Sequence, residues 1–312
     1  MDWKDKKVLV NGASGFIGSN ITKELLSRGA IVYSIDNFSY TDYEKFKDKL
    51  DFLKKINIIE GDVSKHESWA KVPKDIDYIF HFAAPSSITL FKKTPEKCLS
   101  ETIFGLYEAL EFAKQNKTKK LVYPTSGSNY AGNEMPHREN IYIKPRNLYA
   151  AGKMACEGLA SSYSDFVKSV GLRIFAGYGP GEERKKDFGS VLYLFIKDYM
   201  NGKAPEIWGD GNQTRDFVYI EDVVKMIVRS AEVEYTGIIN VGTGKSKSFR
   251  QLLKTIKDDF NTNLEPIFIP KEANYVENLE ADTKLMREIL GIEPMSPEEG
   301  IKKFINYLRA SS

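Results

Sequence analysis

The chain has 312 residues, 42% of them hydrophobic, so it is long enough to bury a substantial core and is not disordered by composition. Its 45 basic and 43 acidic residues are interspersed and give a formal net charge of +2. That balance excludes the basic surface expected of a nucleic-acid-binding domain or of a protein that binds anionic membranes.

The first residues, "MDWKDKKVLVNGASG", lack the apolar run of a secretory signal, and no apolar stretch is long enough to span a bilayer. Cys98 and Cys156 are the only cysteines, and the chain has three histidines. A disulfide framework and a structural zinc site are therefore not expected. We expect a cytoplasmic protein with no metal, no nucleic-acid partner and no membrane contact.

Short β-branched runs alternate with longer amphipathic stretches through roughly the first half of the chain. The predicted strands are 7–12, 30–36, 56–62, 77–83, 120–125 and 171–176. The predicted helices are 16–28, 40–54, 95–115 and 146–169. Strands that alternate with helices are typical of βαβ crossovers, so we predict an α/β fold with a doubly wound parallel sheet.

The alternation changes after residue 177. A helix is predicted near 187–201 and another at about 221–233, the second flanked by strands in "FVYI" and "IINVG" that rejoin the sheet. Residues 249–312 carry two or three further helices and one strand, "EPIFIP". We predict one large domain, residues 1–177 rejoined by about 217–243, and a smaller interleaved lobe made of 178–216 and 244–312.

Three glycines, Gly12, Gly15 and Gly18, stand between the first predicted strand and the first predicted helix. Glycine lets a backbone approach a pyrophosphate closely, and the helix that follows points its positive N-terminus at the anion. Asp36 ends the second strand, where a carboxylate accepts hydrogen bonds from the ribose diol of adenosine and repels a 2′-phosphate. Together these features predict NAD, rather than NADP, as a cofactor.

A tyrosine and a lysine four residues apart, Tyr149 and Lys153, occur in "RNLYAAGK". One helical turn would place both side chains on the same face. The same spacing recurs, however, at Tyr43/Lys47, Tyr193/Lys197 and Tyr199/Lys203. The spacing alone therefore predicts nothing, and only its surroundings can single out one pair.

Seven motifs follow one another along the chain. They are GxxGxxG at 12–18, "HFAA" at 81–84, "VYPTSGSNYAG" at 122–132, "YAAGK" at 149–153, "LRIFAGYGPG" at 172–181, "GDGNQTRDFVYIEDV" at 209–223 and "NVGTG" at 240–244. With these motifs in this order, the chain resembles the extended short-chain dehydrogenase/reductases, specifically the NAD-dependent nucleotide-sugar epimerase/dehydratase family. The resemblance implies a Rossmann domain that binds NAD and a C-terminal lobe that binds the nucleotide sugar.

The resemblance also implies three catalytic residues, since Tyr149 alone of the four tyrosines follows the fifth strand by the family's interval. Tyr149 would take a proton from a sugar hydroxyl. Lys153 would lower the pKa of Tyr149 and bind the nicotinamide ribose. Ser126 would hold the reacting oxygen, with Thr125 and Ser128 as neighbours that could take its place.

Cofactor and substrate contacts follow from the same resemblance. The implied NAD contacts, besides Tyr149 and Lys153, are Gly12, Ser14, Gly15, Phe16, Ile17, Gly18, Asp36, Asn37, Asp62, Val63, Phe82, Ala83 and Ala84, with Asp62 and Val63 beside the adenine. The implied substrate contacts are Ser86, Ser126, Arg215 and Trp208. Arg215 would clamp the diphosphate, and Trp208 would either line the base pocket or belong to the core.

The segment "TSGSNY" lacks the carboxylates that the family's 4,6-dehydratases and decarboxylases carry there. We therefore predict NAD-dependent epimerisation of a nucleotide sugar, a UDP-hexose at C4, through a transient 4-keto intermediate. A 4-dehydrogenase or 4,6-dehydratase of the same family is the alternative, and a catalytically silent NAD-binding sensor is a third. Ala176 and Thr102 replace two asparagines usual in the family, which leaves the sugar and the nucleotide open.

Apolar residues line the two helices predicted at 95–115 and 146–169, namely Ile103, Leu106, Leu110 and Leu159. Such stripes usually face a sheet. In the family that this chain resembles, the same two helices often pair with their copies in a second subunit. We therefore predict a homodimer.

Overall fold

The computed structural model describes residues 1–271 and 275–311. The strands within this part of the chain are Lys7–Asn11 (β1), Ile31–Asp36 (β2), Asn57–Glu60 (β3), Tyr78–His81 (β4), Lys120–Ser126 (β5), Ser169–Ile174 (β6), Ala176–Tyr178 (β7), Glu206–Trp208 (β8), Thr214–Arg215 (β9), Phe217–Tyr219 (β10), Gly237–Val241 (β11), Lys247–Ser248 (β12) and Ile267–Ile269 (β13).

The α-helices of the same residues are Phe16–Ser27 (α1), Tyr43–Phe46 (α2), His66–Trp69 (α3), Ile88–Lys93 (α4), Pro95–Asn116 (α5), Leu148–Ser162 (α6), Val191–Met200 (α7), Ile220–Glu232 (α8), Phe249–Phe260 (α9), Lys284–Leu290 (α10) and Pro297–Ser311 (α11). Three stretches form 3₁₀ helix, Lys47–Lys55, Gly127–Tyr130 and Glu182–Phe188. None of the helices described is both long and apolar enough to cross a membrane.

The main sheet has the strand order β11-β6-β5-β4-β1-β2-β3 among the described residues, and every neighbouring pair is parallel. Alternate residues of a strand point to opposite faces, and here both faces are covered. Val8 and Val10 of β1 belong to the core that contains residues of α1 and α8. Leu9 belongs to the core that contains residues of α3, α5 and α6. The predicted doubly wound parallel sheet is confirmed.

Several predicted elements were wrong in extent or in partner. The "FVYI" strand, β10, does not rejoin the main sheet but pairs with β7 in a separate two-stranded sheet, and only β11 extends the main sheet. The helix predicted at 146–169 ends at Ser162, and the one predicted at 40–54 is a four-residue α-helix followed by 3₁₀ helix. Strand partners are chosen by the tertiary fold, which a local pattern does not encode.

Candidate active site

The turn between β1 and α1 is so tightly packed that two of its glycines cannot carry a side chain. Gly12 has a φ of +79°, and a Cβ added there would lie 2.9 Å from the backbone of Ala83. A Cβ on Gly18 would lie 2.0 Å from the carbonyl oxygen of Gly12. Gly15 is the N-cap of α1 and supplies no side-chain cap. The first N–H groups of the helix therefore lack a side-chain acceptor, as a phosphate-binding turn requires.

A cleft of about 510 Å³, open to solvent, begins at this turn and follows the ends of β2, β3 and β4. Asp36 is 7% exposed at the end of β2. Its Oδ2 accepts a hydrogen bond from Ser14 N and its Oδ1 from Phe38 N, both at 2.8 Å. Burial raises the pKa of Asp36 despite these two bonds. The bonds fix the carboxylate as an oriented acceptor, and each oxygen keeps a lone pair for a ligand.

Ten of the predicted cofactor residues line this cleft: Gly12, Ser14, Gly15, Asp36, Asn37, Asp62, Val63, Phe82, Ala83 and Ala84. Phe16, Ile17 and Gly18 lie just beyond it, in the first turn of α1. The glycine cradle, the uncapped helix N-terminus and the fixed acid suit a dinucleotide.

The cleft also contains residues that the sequence did not reveal, namely Ile35, Ser39, Tyr40, Thr41, Gly61 and Glu101. Tyr40 and Glu101 are joined by a hydrogen bond from the phenol to the carboxylate, 2.6 Å long. A usable signal was present in the sequence of α5, because Glu101 is the one charged residue on a helix face whose other buried residues are uncharged.

The predicted catalytic tyrosine and lysine lie at the start of α6. Asn147 is the N-cap of this helix, and its Oδ1 accepts a hydrogen bond from Ala150 N at 2.9 Å. This cap places Tyr149 in the first turn and Lys153 one turn later. Among the four Tyr-x-x-x-Lys pairs, all within the described residues, Lys153 is the one lysine that is buried.

Ser126, Tyr149 and Lys153 form what we call the catalytic corner. The Ser126 hydroxyl lies near enough to the Tyr149 phenol to lower its pKa, and Ser126 Oγ accepts a hydrogen bond from Ser128 N at 3.1 Å. Lys153 Nζ lies 5.8 Å from the centre of the Tyr149 ring, and Phe91 packs edge-on against that ring at 5.4 Å. Within the described part of the chain, Lys153 Nζ makes no hydrogen bond and no ion pair.

Burial controls the electrostatics of the catalytic corner. It raises the pKa of Tyr149, an effect that the neighbouring Ser126 hydroxyl opposes, and it lowers the pKa of Lys153. In the protein without NAD the pKa of Tyr149 is thus raised, and the predicted lowering by Lys153 together with the nicotinamide ring stays a prediction. The physical reason is that a dry environment disfavours the charged form of both side chains.

Thr125, which precedes Ser126, belongs to a different set of contacts that we call the ion-pair network. Its hydroxyl donates to Glu157 Oε1 at 2.6 Å, and Arg173 binds Glu157 through Nε–Oε1 at 3.0 Å and Nη2–Oε2 at 2.7 Å. Arg173 Nη1 also donates to the Tyr130 hydroxyl at 2.6 Å. Thr125 is thereby committed to Glu157, which leaves Ser126 and Ser128 as the nearby hydroxyls for the catalytic corner.

Arg215 and Trp208 lie in a second cluster, in which both neighbour Tyr275. The Arg215 guanidinium lies 5.5 Å from the Phe249 ring and 5.4 Å from the Tyr275 ring, and the Tyr275 and Trp208 rings are 5.8 Å apart. Trp208 is 36% exposed, so it is not a core tryptophan. Three N–H groups of Arg215 donate to the carbonyls of Thr214, Val276 and Glu277. The remaining two have no acceptor among the described residues.

Three further positions named in the sequence analysis are Ser86 and the two residues that replace asparagines usual in the family. Ser86 is exposed just after the end of β4. Ala176 donates its N–H to the carbonyl of Asp216 at 2.9 Å, and the Thr102 hydroxyl is buried with no hydrogen-bond partner in the described chain.

The chain is similar to proteins of known structure and name. Residues 8–242 match the model of the family described as NAD dependent epimerase/dehydratase family. A UDP-glucose 4-epimerase of Mycolicibacterium smegmatis is 30% identical, with 98% of this chain and 99% of that protein covered. The family match includes the glycine turn and the catalytic corner, and the match to the UDP-glucose 4-epimerase extends over nearly the whole chain.

Two solved structures share the fold along nearly the whole chain. One is a UDP-N-acetylglucosamine 4-epimerase from Methanobrevibacter ruminantium in complex with UDP-N-acetylmuramic acid, with a TM-score of 0.90, 29% identity and coverage of 99% of this chain and 100% of that one. The other is a UDP-glucuronic acid 4-epimerase from Bacillus cereus in complex with NAD, with a TM-score of 0.90, 26% identity and coverage of 98% and 100%. The chain therefore belongs to the NAD-dependent epimerase/dehydratase family and is an enzyme with NAD as its cofactor.

Proposed function

We propose that the enzyme epimerises a UDP-hexose at C4 through a transient 4-keto sugar, with NAD retained through the cycle. The observation that carries the proposal is the pairing of Ser126 with Tyr149 in a buried corner beside Lys153. The similar proteins named above are 4-epimerases of UDP-linked sugars, which supports C4 and UDP.

The catalytic corner would work by moving one proton. Ser126 would bind the reacting sugar oxygen, and Tyr149 would take the proton from that hydroxyl and later return it. Lys153 would hold the cofactor ribose and supply positive charge beside the phenol. When bound, NAD would accept and return the hydride, and its positively charged ring would favour the phenolate that burial disfavours.

An elimination of water, as in a dehydratase, needs a free acid and a free base near the sugar. Glu157 is the carboxylate that contacts Thr125, and Arg173 binds both of its oxygens. Burial lowers the pKa of Arg173, but the contacts of Arg173 with Glu157 and Tyr130 outweigh this and raise it, so the guanidinium stays charged. A carboxylate held in this way is unsuited to proton transfer, which supports epimerisation over dehydration.

We further propose that residues 1–177, with about 217–243, form the NAD-binding domain, and that 178–216 and 244–312 form the substrate lobe. In that lobe, Arg215 would bind the diphosphate with the two N–H groups that lack an acceptor. Trp208 and Tyr275, one partly exposed and the other beside the guanidinium, would stack on the base. Ser86 would contact the sugar from the end of β4.

The predicted homodimer also remains a proposal. Leu106 and Leu110 face the sheet and cannot form an interface. Phe104, Tyr107 and Leu148 are 57%, 39% and 48% exposed on α5 and at the start of α6, and they offer an apolar surface instead. Sedimentation velocity at micromolar concentration should show twice the chain mass of 35.4 kDa. A single species at the chain mass would remove the proposal.

Proton NMR tests the proposed reaction directly. The purified enzyme would be incubated with UDP-glucose and with UDP-N-acetylglucosamine, first without and then with added NAD. A growing anomeric signal of the C4 epimer, without net NADH, is the expected result. Net NADH would indicate a dehydrogenase, and loss of water a dehydratase. No change with either sugar, although NAD is bound, would contradict the proposed substrate.

A further inference from the structure

We propose that Lys185, a residue of the proposed substrate lobe, binds the pyrophosphate of NAD and thereby ties this lobe to the cofactor. The inference rests on NAD binding at the glycine turn and not on the identity of the sugar. None of the sequence motifs includes Lys185.

The cofactor cleft is lined by acids rather than by bases. Its lining includes three carboxylates, Asp36, Asp62 and Glu101, and, among the described residues, no lysine or arginine. The pyrophosphate of NAD adds two negative charges to this surface, and the N-terminus of α1 offsets only about half a charge. A cation supplied from outside the cleft lining therefore gains a favourable electrostatic interaction with bound NAD.

The segment that carries Lys185 is anchored on α1. Arg184 Nη2 donates a hydrogen bond to Ser19 Oγ, and Asn20 Nδ2 donates to the carbonyl of Pro180 at 3.0 Å. Arg184 is 2% exposed, so this anchor is buried. Both contacts hold the segment against the helix whose N-terminus faces the phosphate-binding turn.

The ammonium of Lys185 lies near the first turn of that helix. Its Nζ is 5.6 Å from the centre of the Phe16 ring, and Phe16 is the first residue of α1, directly after the N-cap Gly15. Helical side chains point toward the N-terminus of their helix, so the ring and the ammonium near it lie on the phosphate-binding side.

Lys185 is half-buried, and in the described part of the chain its Nζ makes no hydrogen bond and no ion pair. The two acids of the same segment are engaged elsewhere. Glu182 accepts hydrogen bonds from Ser190 N and Ser190 Oγ. Glu183 accepts from Gly181 N at 2.8 Å. The charge of Lys185 thus remains available to a ligand, and an ammonium suits a phosphate as a compact point charge.

ADP-ribose is the appropriate probe, because it carries the adenosine and the pyrophosphate of NAD but no nicotinamide ring. Its binding therefore reports the pyrophosphate contact without involving the catalytic corner. One charge-assisted hydrogen bond corresponds to about a tenfold gain in affinity or more. A contact between charges should also weaken as salt is added.

Isothermal titration calorimetry would measure ADP-ribose binding to charcoal-treated, nucleotide-free enzyme at about 20 mM and about 300 mM NaCl. Lys185→Met keeps the apolar stem near Phe16 and removes the charge. We expect this variant to bind ADP-ribose about tenfold more weakly than the wild type at the lower salt concentration. At the higher concentration the difference should shrink to about threefold, because salt screens the contact that the wild type makes.

Lys203→Met is the matched control, since it removes the same charge from an exposed position of the same lobe and should bind as the wild type does. Binding by Lys185→Met within about twofold of the wild type at both salt concentrations would overturn the inference. So would a loss of the same factor at both concentrations, which would indicate packing against Phe16 instead of a charge contact. Failure of the wild type to bind ADP-ribose would contradict NAD binding and the inference with it. The experiment uses no sugar and no turnover, so its result is independent of the proposed epimerisation.

Discussion

Two consecutive residues of β5 belong to different regions of the molecule, Thr125 to the ion-pair network and Ser126 to the catalytic corner. Buried charge has opposite surroundings in the two regions. Ser126 meets Tyr149 and the unpaired Lys153, whereas Thr125 meets Glu157, which Arg173 binds through two nitrogens. Both regions use α6, since Lys153 and Glu157 are one turn apart on that helix. The pKa of Lys153 is lowered and that of Arg173 is raised.

The difference shows how one helix can serve stability and chemistry at once. A buried cation with a fully bound anion keeps its charge and fixes the packing around it. A buried cation without a partner instead has a shifted pKa and raises the energy of the folded protein, which is the typical cost of a reactive site. The next four predictions test this contrast, from the largest expected effect to the smallest.

Tyr149→Phe should lower kcat by about 10³-fold or more, because it removes the group that we propose transfers the proton. Bound NAD should be unchanged, since the ring and Lys153 remain. Turnover followed by NMR and nucleotide released on denaturation measure the two effects. Tyr142→Phe, a tyrosine that is 84% exposed, is the control. Full activity of Tyr149→Phe would refute the catalytic corner.

Glu157→Ala should lower the free energy of unfolding by about 3–5 kcal/mol, because it leaves Arg173 buried without its anion. Urea denaturation measures this loss. Glu234→Ala removes the exposed partner of Lys168 and should leave the urea midpoint unchanged. Similar stability of both variants would show that the ion-pair network does not hold this region together.

Removing the Ser126 and Thr125 hydroxyls in separate variants compares the two regions directly. Ser126→Ala should lower kcat by about 10²-fold, because the lost hydroxyl is proposed to bind the reacting oxygen, and should also cost about 1 kcal/mol of stability, because Ser126 Oγ caps the 3₁₀ helix by accepting from Ser128 N. Thr125→Val should cost a similar amount of stability and leave kcat nearly normal. A large loss of kcat in Thr125→Val would mean that the two regions are not separate.

Lys153→Met should stabilise the nucleotide-free protein by about 1 kcal/mol, because it removes an unpaired buried amine. The native pKa of Lys153 lies below its unfolded value of 10.5. The full energetic penalty of burying the charged amine is therefore present at pH values below the native pKa. The penalty, and hence the gain from the substitution, should shrink as the pH rises toward 10.5. Thermal unfolding at pH 7 and pH 9.5 measures this trend, with Lys254→Met on an exposed position as the control.

The features that could be predicted from the sequence are those encoded within one strand, turn or helix. The glycine turn needs three positions within seven residues, and Asn147, Tyr149 and Lys153 need only a capped helix. Their placement in the fold follows from alternating strands and helices. The comparisons with known proteins confirmed the family and the cofactor.

The features that could not be predicted depend on distant contacts or on burial. Glu101 and Tyr40 are brought together by the packing of α5 against the cleft. Glu157 and Arg173 meet because α6 packs on β6. No sequence motif contains both residues, so their contact could not be predicted. The direction of the Tyr149 pKa shift depends on how dry the catalytic corner is, and spacing along the chain does not report burial.

The strand order of the main sheet has a consequence for protein synthesis. β11 covers the outer edge of β6, but residues 175–236 must be made between the two strands. At ordinary rates of translation this takes several seconds. During that time β6, whose six residues are all buried in the folded protein, has no strand paired to its outer edge. An open edge of this kind pairs readily with other chains. Shielding of the β6 edge on the ribosome should therefore determine how much nascent chain becomes folded enzyme.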